Sequence, residues 1–115
     1  MTLHARRFVF ALVLAGTVVA ALLPGSVAPD LGDGDKVNHI IAFITLSMAA
    51  AWAWPRAGLW RVALWLSAFG GLIEILQAIP FIARDAEWRD WVADTAAAVI
   101  TLTVVWILRA LLPRL

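Results

Sequence analysis

Four apolar blocks, about Phe8 to Leu23, Val37 to Trp54, Leu59 to Ile79 and Asp90 to Leu112, are set apart by short stretches that hold four of the five prolines and most of the charges. A helix of about 20 apolar residues spans the ~30 Å hydrocarbon core of a bilayer. Blocks of this length cannot all be hidden inside a soluble domain of 115 residues, of which 63% are hydrophobic and 15% charged. A mean hydropathy of +0.90 excludes a soluble helical bundle on the same ground. The expected fold is all-α: one domain over residues 1–115, an integral membrane four-helix bundle.

The breaks between blocks have local causes. Pro24-Gly25 stops the first block and Pro55 the second, while Pro80 closes the third; each proline removes a backbone donor and obstructs the preceding turn. Residues 24–36 are rich in Pro, Gly and Asp and read as a connection of acidic character. The first block is short, and a basic start, an apolar run and small residues after it also describe a cleaved signal peptide. A retained first helix is preferred, because the run reaches the ~17-residue minimum once its flanks are counted.

Short loops rich in Lys and Arg stay on the cytoplasmic side of a membrane. Arg6, Arg7, Arg56, Arg61, Arg109 and Arg114 fall on one side of a four-span chain, and Lys36, Arg84 and Arg89 on the other, so both termini are expected in the cytoplasm. Trp52, Trp54 and Trp60 fit an inner aromatic belt, and Trp88 and Trp91 an outer one. The lipid bilayer is therefore the first expected partner. No basic cluster with interleaved aromatics points to nucleic acid. The chain has no cysteine, which removes disulfides, thiol nucleophiles and Cys-based metal sites.

The exceptional stretch is Gly70-Gly71-Leu72-Ile73-Glu74-Ile75-Leu76-Gln77, which places a carboxylate and an amide inside an apolar helix. An ionisable group at mid-bilayer costs roughly 2.5–3.5 kcal/mol on insertion scales, so it faces protein or a water-filled cavity and is protonated or paired. The alternating topology brings other polar groups to the same end. Asp35 and His39 are spaced i, i+4 and Lys36 and His39 i, i+3, so they share a face; Glu74 and Gln77, and Asp90 and Asp94, pair in the same way. Each has a structural reading as well. Asp35 and Asp90 suit helix caps, Lys36 can snorkel to head groups, and Arg84 and Arg89 can be solvated loop charges. His39 and Gln77 can be satisfied by backbone or by each other.

Asp35-Lys36-x-x-His39 followed by Ala42-Phe43, then Gly70-x-x-x-Glu74-x-x-Gln77, then Arg84 and Asp90 before the last span, resembles the VanZ-like family of small bacterial membrane proteins, named for a member that gives low-level teicoplanin resistance. The likeness covers roughly residues 33–100. It implies a multi-pass protein of the bacterial cytoplasmic membrane and marks Asp35, Lys36, His39, Glu74, Gln77, Arg84 and Asp90 as motif positions. Where many members have an Asn followed by Gly in the fourth span, this chain has Asp94 and Ala97.

Together these features predict an outward-facing polar pocket. Glu74 and Gln77 form its floor, His39 and Asp94 its walls, and Lys36, Arg84 and Asp90 its rim. His39, Glu74 and Asp94 are the candidate acid and base groups. Asp35, Lys36, Gln77, Arg84 and Asp90 are candidate binding residues for a lipid-linked or cell-wall ligand, with an anionic head group held by Lys36 and Arg84. No cofactor is expected. A divalent metal on His39, Glu74 and Asp94 is the lesser alternative, because no dense ligand motif such as H-E-x-x-H is present. The opposing reading is a non-catalytic scaffold in which the polar cluster sets helix register. A proton or ion pathway is disfavoured, since only Thr45, Ser47 and Ser67 continue the polar track inward.

Overall fold

The computed structural model describes residues 1–23, 35–79 and 88–112. Within them lie four helices: α1 (Leu3–Leu22), α2 (Asp35–Ala53), α3 (Leu59–Gln77) and α4 (Trp88–Leu111). All four are long and apolar enough to cross a membrane, the pattern of a multi-pass membrane protein. Their outer faces match that solvent, for Ile75, Trp65, Ile100 and Trp106 all project outward. In water such a surface would be an aggregation hazard; in lipid it is the ordinary exterior.

The helix starts differ from the hydropathy blocks where polar side chains find partners. Helix α1 begins at Leu3 rather than Phe8, because the Thr2 hydroxyl accepts from the Ala5 N–H and caps the first turn. Arg6 and Arg7 therefore lie inside the helix. Helix α2 includes Asp35, so this residue is the first helical position and not the cap. Helix α4 starts at Trp88 and carries Asp90 in its first turn, where a carboxylate complements the helix dipole. Helix α3 ends at Gln77, its last turn closed by the Ala78 N–H bonding back to Glu74 O.

Helix α4 packs against both α2 and α3, and α1 lies against α2 and, less extensively, α3. The core is built from Phe43, Leu46, Ala50 and Ala51 of α2, Val62 and Leu66 of α3, and Ala97, Ala98 and Leu102 of α4. Alanines on the facing surfaces of α2 and α4 let the two backbones approach. Close approach is what drives association where burial from water supplies nothing. Helix α1 contributes no buried residue and sits at the periphery.

Side-chain contacts fix which ends lie together. The last turn of α2 has no basic residue of its own, yet its orphan carbonyls are all taken. Ala50 O accepts from the Trp54 N–H, Ala51 O from Arg109, Trp52 O from Arg6 and Ala53 O from Arg7. The start of α1 and the end of α4 thus clamp the end of α2. Stacking adds to the clamp, with Arg6 over Trp52 and Arg7 over Trp54. At the other end Gln77 Nε2 donates to Ala21 O at 2.9 Å, tying α3 to the last turn of α1. The four helices therefore alternate in direction.

Candidate functional site

The end of the bundle where α2 and α4 begin and α1 and α3 finish carries a polar cluster drawn from three helices. His39 of α2 stands one turn above the start of that helix, Glu74 is in the last turn of α3, and Asp94 lies in the second turn of α4. All three are buried, Asp94 completely. His39 Nδ1 lies 3.0 Å from Asp94 Oδ1 and 3.2 Å from Asp94 Oδ2, so one ring nitrogen addresses the whole carboxylate. The same nitrogen is 3.8 Å from Glu74 Oε1. One donor atom from each residue fits within a 4.8 Å group. Three ionisable side chains thus share one interior.

The space for this meeting is made by a residue with no side chain. At Gly70, one turn before Glu74 on α3, an added Cβ would lie 3.1 Å from Asp94 Oδ2 and 3.2 Å from Phe43 Cζ. Gly70 lets the α3 backbone close onto Asp94 and the Phe43 ring. Two further contacts hold α3 to α4 just below the cluster. Ser67 and Thr95 share a hydroxyl hydrogen bond of 2.9 Å, and Trp91 Nε1 donates to Ser67 O at 2.9 Å. Trp91 thereby fixes the α3–α4 seam, a specific task beyond the interfacial belt expected of it.

The rim is represented by Lys36 and Asp90. Lys36 Nζ is 4.0 Å from Asp90 Oδ1, with the Lys36 side chain 49% exposed and that of Asp90 only 6%. Such a contact is at the outer limit of an ion pair and leaves about half of the Lys36 side chain exposed. Gln77 is fully buried and uses its donor on α1, while its Oε1 has no hydrogen-bond partner among the described residues. Its amide ties α3 to the last turn of α1. Arg84 and the side chain of Asp35 lie outside the described residues. Of the polar residues expected to continue inward, Thr45 and Ser47 bond back to carbonyls one turn earlier on α2, at Ile41 and Phe43, and Ser67 is held by Thr95.

Gly70, Phe43, Ser67, Thr95 and Trp91 shape the site without having been singled out for that task from sequence. The signal that could have found the first is the Gly70-Gly71 pair inside an apolar helix, where glycine marks a close backbone approach. Ala97 is buried in the core of α4, and Gly70 supplies a close contact from α3. An apolar groove of about 660 Å³, lined among others by Phe10, Leu14, Trp54, Trp65 and Phe69, shares no residue with the cluster.

Comparison with protein families, with characterised proteins and with solved structures gives no match to this chain.

Proposed function

We propose that this is a VanZ-like protein of the bacterial cytoplasmic membrane whose His39–Glu74–Asp94 cluster opens toward the outer leaflet and binds an anionic, lipid-linked compound of the cell envelope. The observation that carries this reading is the buried imidazole held 3.0 Å from one carboxylate and 3.8 Å from a second, inside a bundle with an apolar exterior. Interhelical polar contacts in bilayers average only ~0.6 kcal/mol, so a single hydrogen-bonded pair would suffice for register. Three ionisable groups from three helices exceed that need, and intramembrane ionisable groups mark functional sites by default.

Orientation is supported by the basic residues. Arg6, Arg7 and Arg109 gather at the end of α2 opposite the cluster, and Arg56 and Arg61 flank the turn into α3 at that end. Positive residues of this kind are retained in the cytoplasm, which turns the cluster outward. Lys36 then offers an ammonium to a phosphate or carboxylate at head-group depth. Beneath it, His39 and Asp94 form an acid–base pair with Glu74 within reach, a set able to exchange protons with a bound head group. Altered handling of such a compound would change glycopeptide susceptibility.

The alternative is a scaffold whose cluster is structural, and the Gln77 tie to Ala21 favours it locally. Native mass spectrometry of protein extracted from its own membranes separates the two. Wild type should retain an anionic lipid that Lys36→Gln loses at an equal yield of folded protein. Equal retention by both proteins rejects the binding role, and a lower yield with retention unchanged assigns the cluster to the scaffold.

A further inference from the structure

His39 Nδ1 faces Asp94 Oδ1 at 3.0 Å, Asp94 Oδ2 at 3.2 Å and Glu74 Oε1 at 3.8 Å. An imidazole nitrogen carries at most one proton, and one N–H cannot serve three oxygens with good geometry. The spacings have a second meaning. Nitrogen and oxygen donors about 2.0–2.2 Å from a common zinc ion stand roughly 2.8–3.6 Å apart on neighbouring vertices of its coordination sphere. The Nδ1–Asp94 distances fall inside that range, and the Glu74 oxygen lies just beyond it, within reach of a small rotation of a flexible side chain.

We propose that His39 Nδ1, Asp94 and Glu74 bind one divalent transition cation, of the Zn²⁺ or Mn²⁺ type, at this end of the bundle. The donor atoms come from three different helices and lie within 4.8 Å of one another. Two carboxylates with a neutral imidazole match the charge of a divalent ion. The nitrogen donor favours a transition metal over Mg²⁺ and Ca²⁺, which prefer oxygen. Gly70 adds an independent geometric feature, for it presents bare backbone to the Asp94 carboxylate at a distance any larger residue would crowd. Three protein ligands are the complement of a catalytic zinc site, which keeps a further position for water or substrate, whereas structural sites close with four.

This inference deepens the function proposed above and rests on it only in taking the cluster as a binding site. The cation occupies the position that a proton on Nδ1 otherwise holds. There it supplies polarisation of an oxygen of the bound head group, a task the His39–Asp94 pair would otherwise perform by proton transfer.

The test uses tag-free, full-length protein in detergent, stripped with chelator and then titrated separately with Zn²⁺, Mn²⁺ and Mg²⁺. Bound metal is read by elemental mass spectrometry and stability by thermal unfolding. One equivalent of Zn²⁺ or Mn²⁺ per chain, with a raised melting temperature and no comparable response to Mg²⁺, is the expected result. Asp94→Asn and Glu74→Gln should each weaken binding more than about 100-fold, since outer-shell partners alone are worth 10–100-fold. His4→Ala, which removes the chain's other histidine, should leave binding unchanged. Circular dichroism checks that each variant is folded, and Glu74→Gln decides the matter if Asp94→Asn is not. The proposal is overturned if neither transition ion binds at one equivalent, if binding survives both carboxylate substitutions, or if it is lost in His4→Ala. Lipid retention without metal binding removes the cation and leaves the lipid reading. Metal binding without lipid retention does the reverse.

Discussion

Asp94 is packed against the bare backbone of Gly70: a Cβ built on the glycine falls 3.1 Å from Asp94 Oδ2 and 3.2 Å from Phe43 Cζ. Neither neighbour can yield easily. The carboxylate is tied to His39, and the Phe43 ring is buried and stacked on Phe69 at a tilt of 37°. Gly70→Ala is therefore expected to destabilise the protein by about 1–3 kcal/mol, the usual cost of overpacking. Gly16→Ala is the matched control, since a Cβ there meets nothing within 4 Å on the peripheral helix. That substitution should be neutral or stabilising by up to ~1 kcal/mol through helix propensity. Thermal unfolding of both variants in one detergent checks the contrast, and an equal effect would show that Gly70 is not a packing requirement.

Removing the partner of His39 should cost more than altering it. Asp94→Ala takes away the acceptor 3.0 Å from a buried imidazole, and losing such a partner typically costs about 1–3 kcal/mol. Asp94→Asn keeps the volume and an acceptor oxygen, so its loss of stability should be the smaller. The order wild type, Asn, Ala in chemical or thermal unfolding is the expected outcome. A variant with Ala as stable as wild type would show that the contact contributes nothing.

Much of this arrangement is legible in the sequence, for identifiable reasons. Long apolar blocks ended by proline declare the helices. Alternating direction then brings His39, Glu74 and Asp94 to one end, because each lies within about two turns of a helix terminus at that end. What hydropathy does not carry is the partner of a polar side chain in another helix. The early start of α1 depends on Thr2 as a cap, and Gln77 is drawn to the Ala21 carbonyl of a helix distant in sequence. Gly70 likewise acquires its meaning only once α4 lies against α3, since the space it leaves is filled by a residue of another helix.

The arginine clamp at the end of α2 is a stability device, and its members should differ in weight. Arg109 donates to Ala51 O at 2.8 Å and Arg7 to Ala53 O at 3.2 Å, both in partly buried settings, whereas the Arg6 bond is exposed. A cation that bonds the last carbonyls of a helix also complements its dipole, worth up to ~2 kcal/mol when partly buried. Arg109→Ala and Arg7→Ala should each lower stability by about 1–2 kcal/mol, and Arg6→Ala by less than ~1 kcal/mol. Arg7→Lys should recover only part of the loss, because an ammonium lacks the planar face that stacks on Trp54. Unfolding free energies of the single variants test this ranking.

Lys36 separates the ligand reading from the structural one most sharply. Its side chain is half exposed and its ammonium lies 4.0 Å from the Asp90 carboxylate, a geometry that contributes ~0–1 kcal/mol at most to folding. Lys36→Gln should therefore change the melting temperature very little. If Lys36 holds an anionic head group, the same substitution removes a charge-assisted contact worth about 1.5–3 kcal/mol, a loss of roughly 10- to 150-fold in lipid affinity. Titration of delipidated protein with an anionic phospholipid, and with a zwitterionic one as control, reads the difference directly. The expected result is weaker anionic binding in the variant with the zwitterionic lipid unaffected. Equal loss for both lipids would point to a general change in the bundle, and unchanged anionic binding would take Lys36 out of the site.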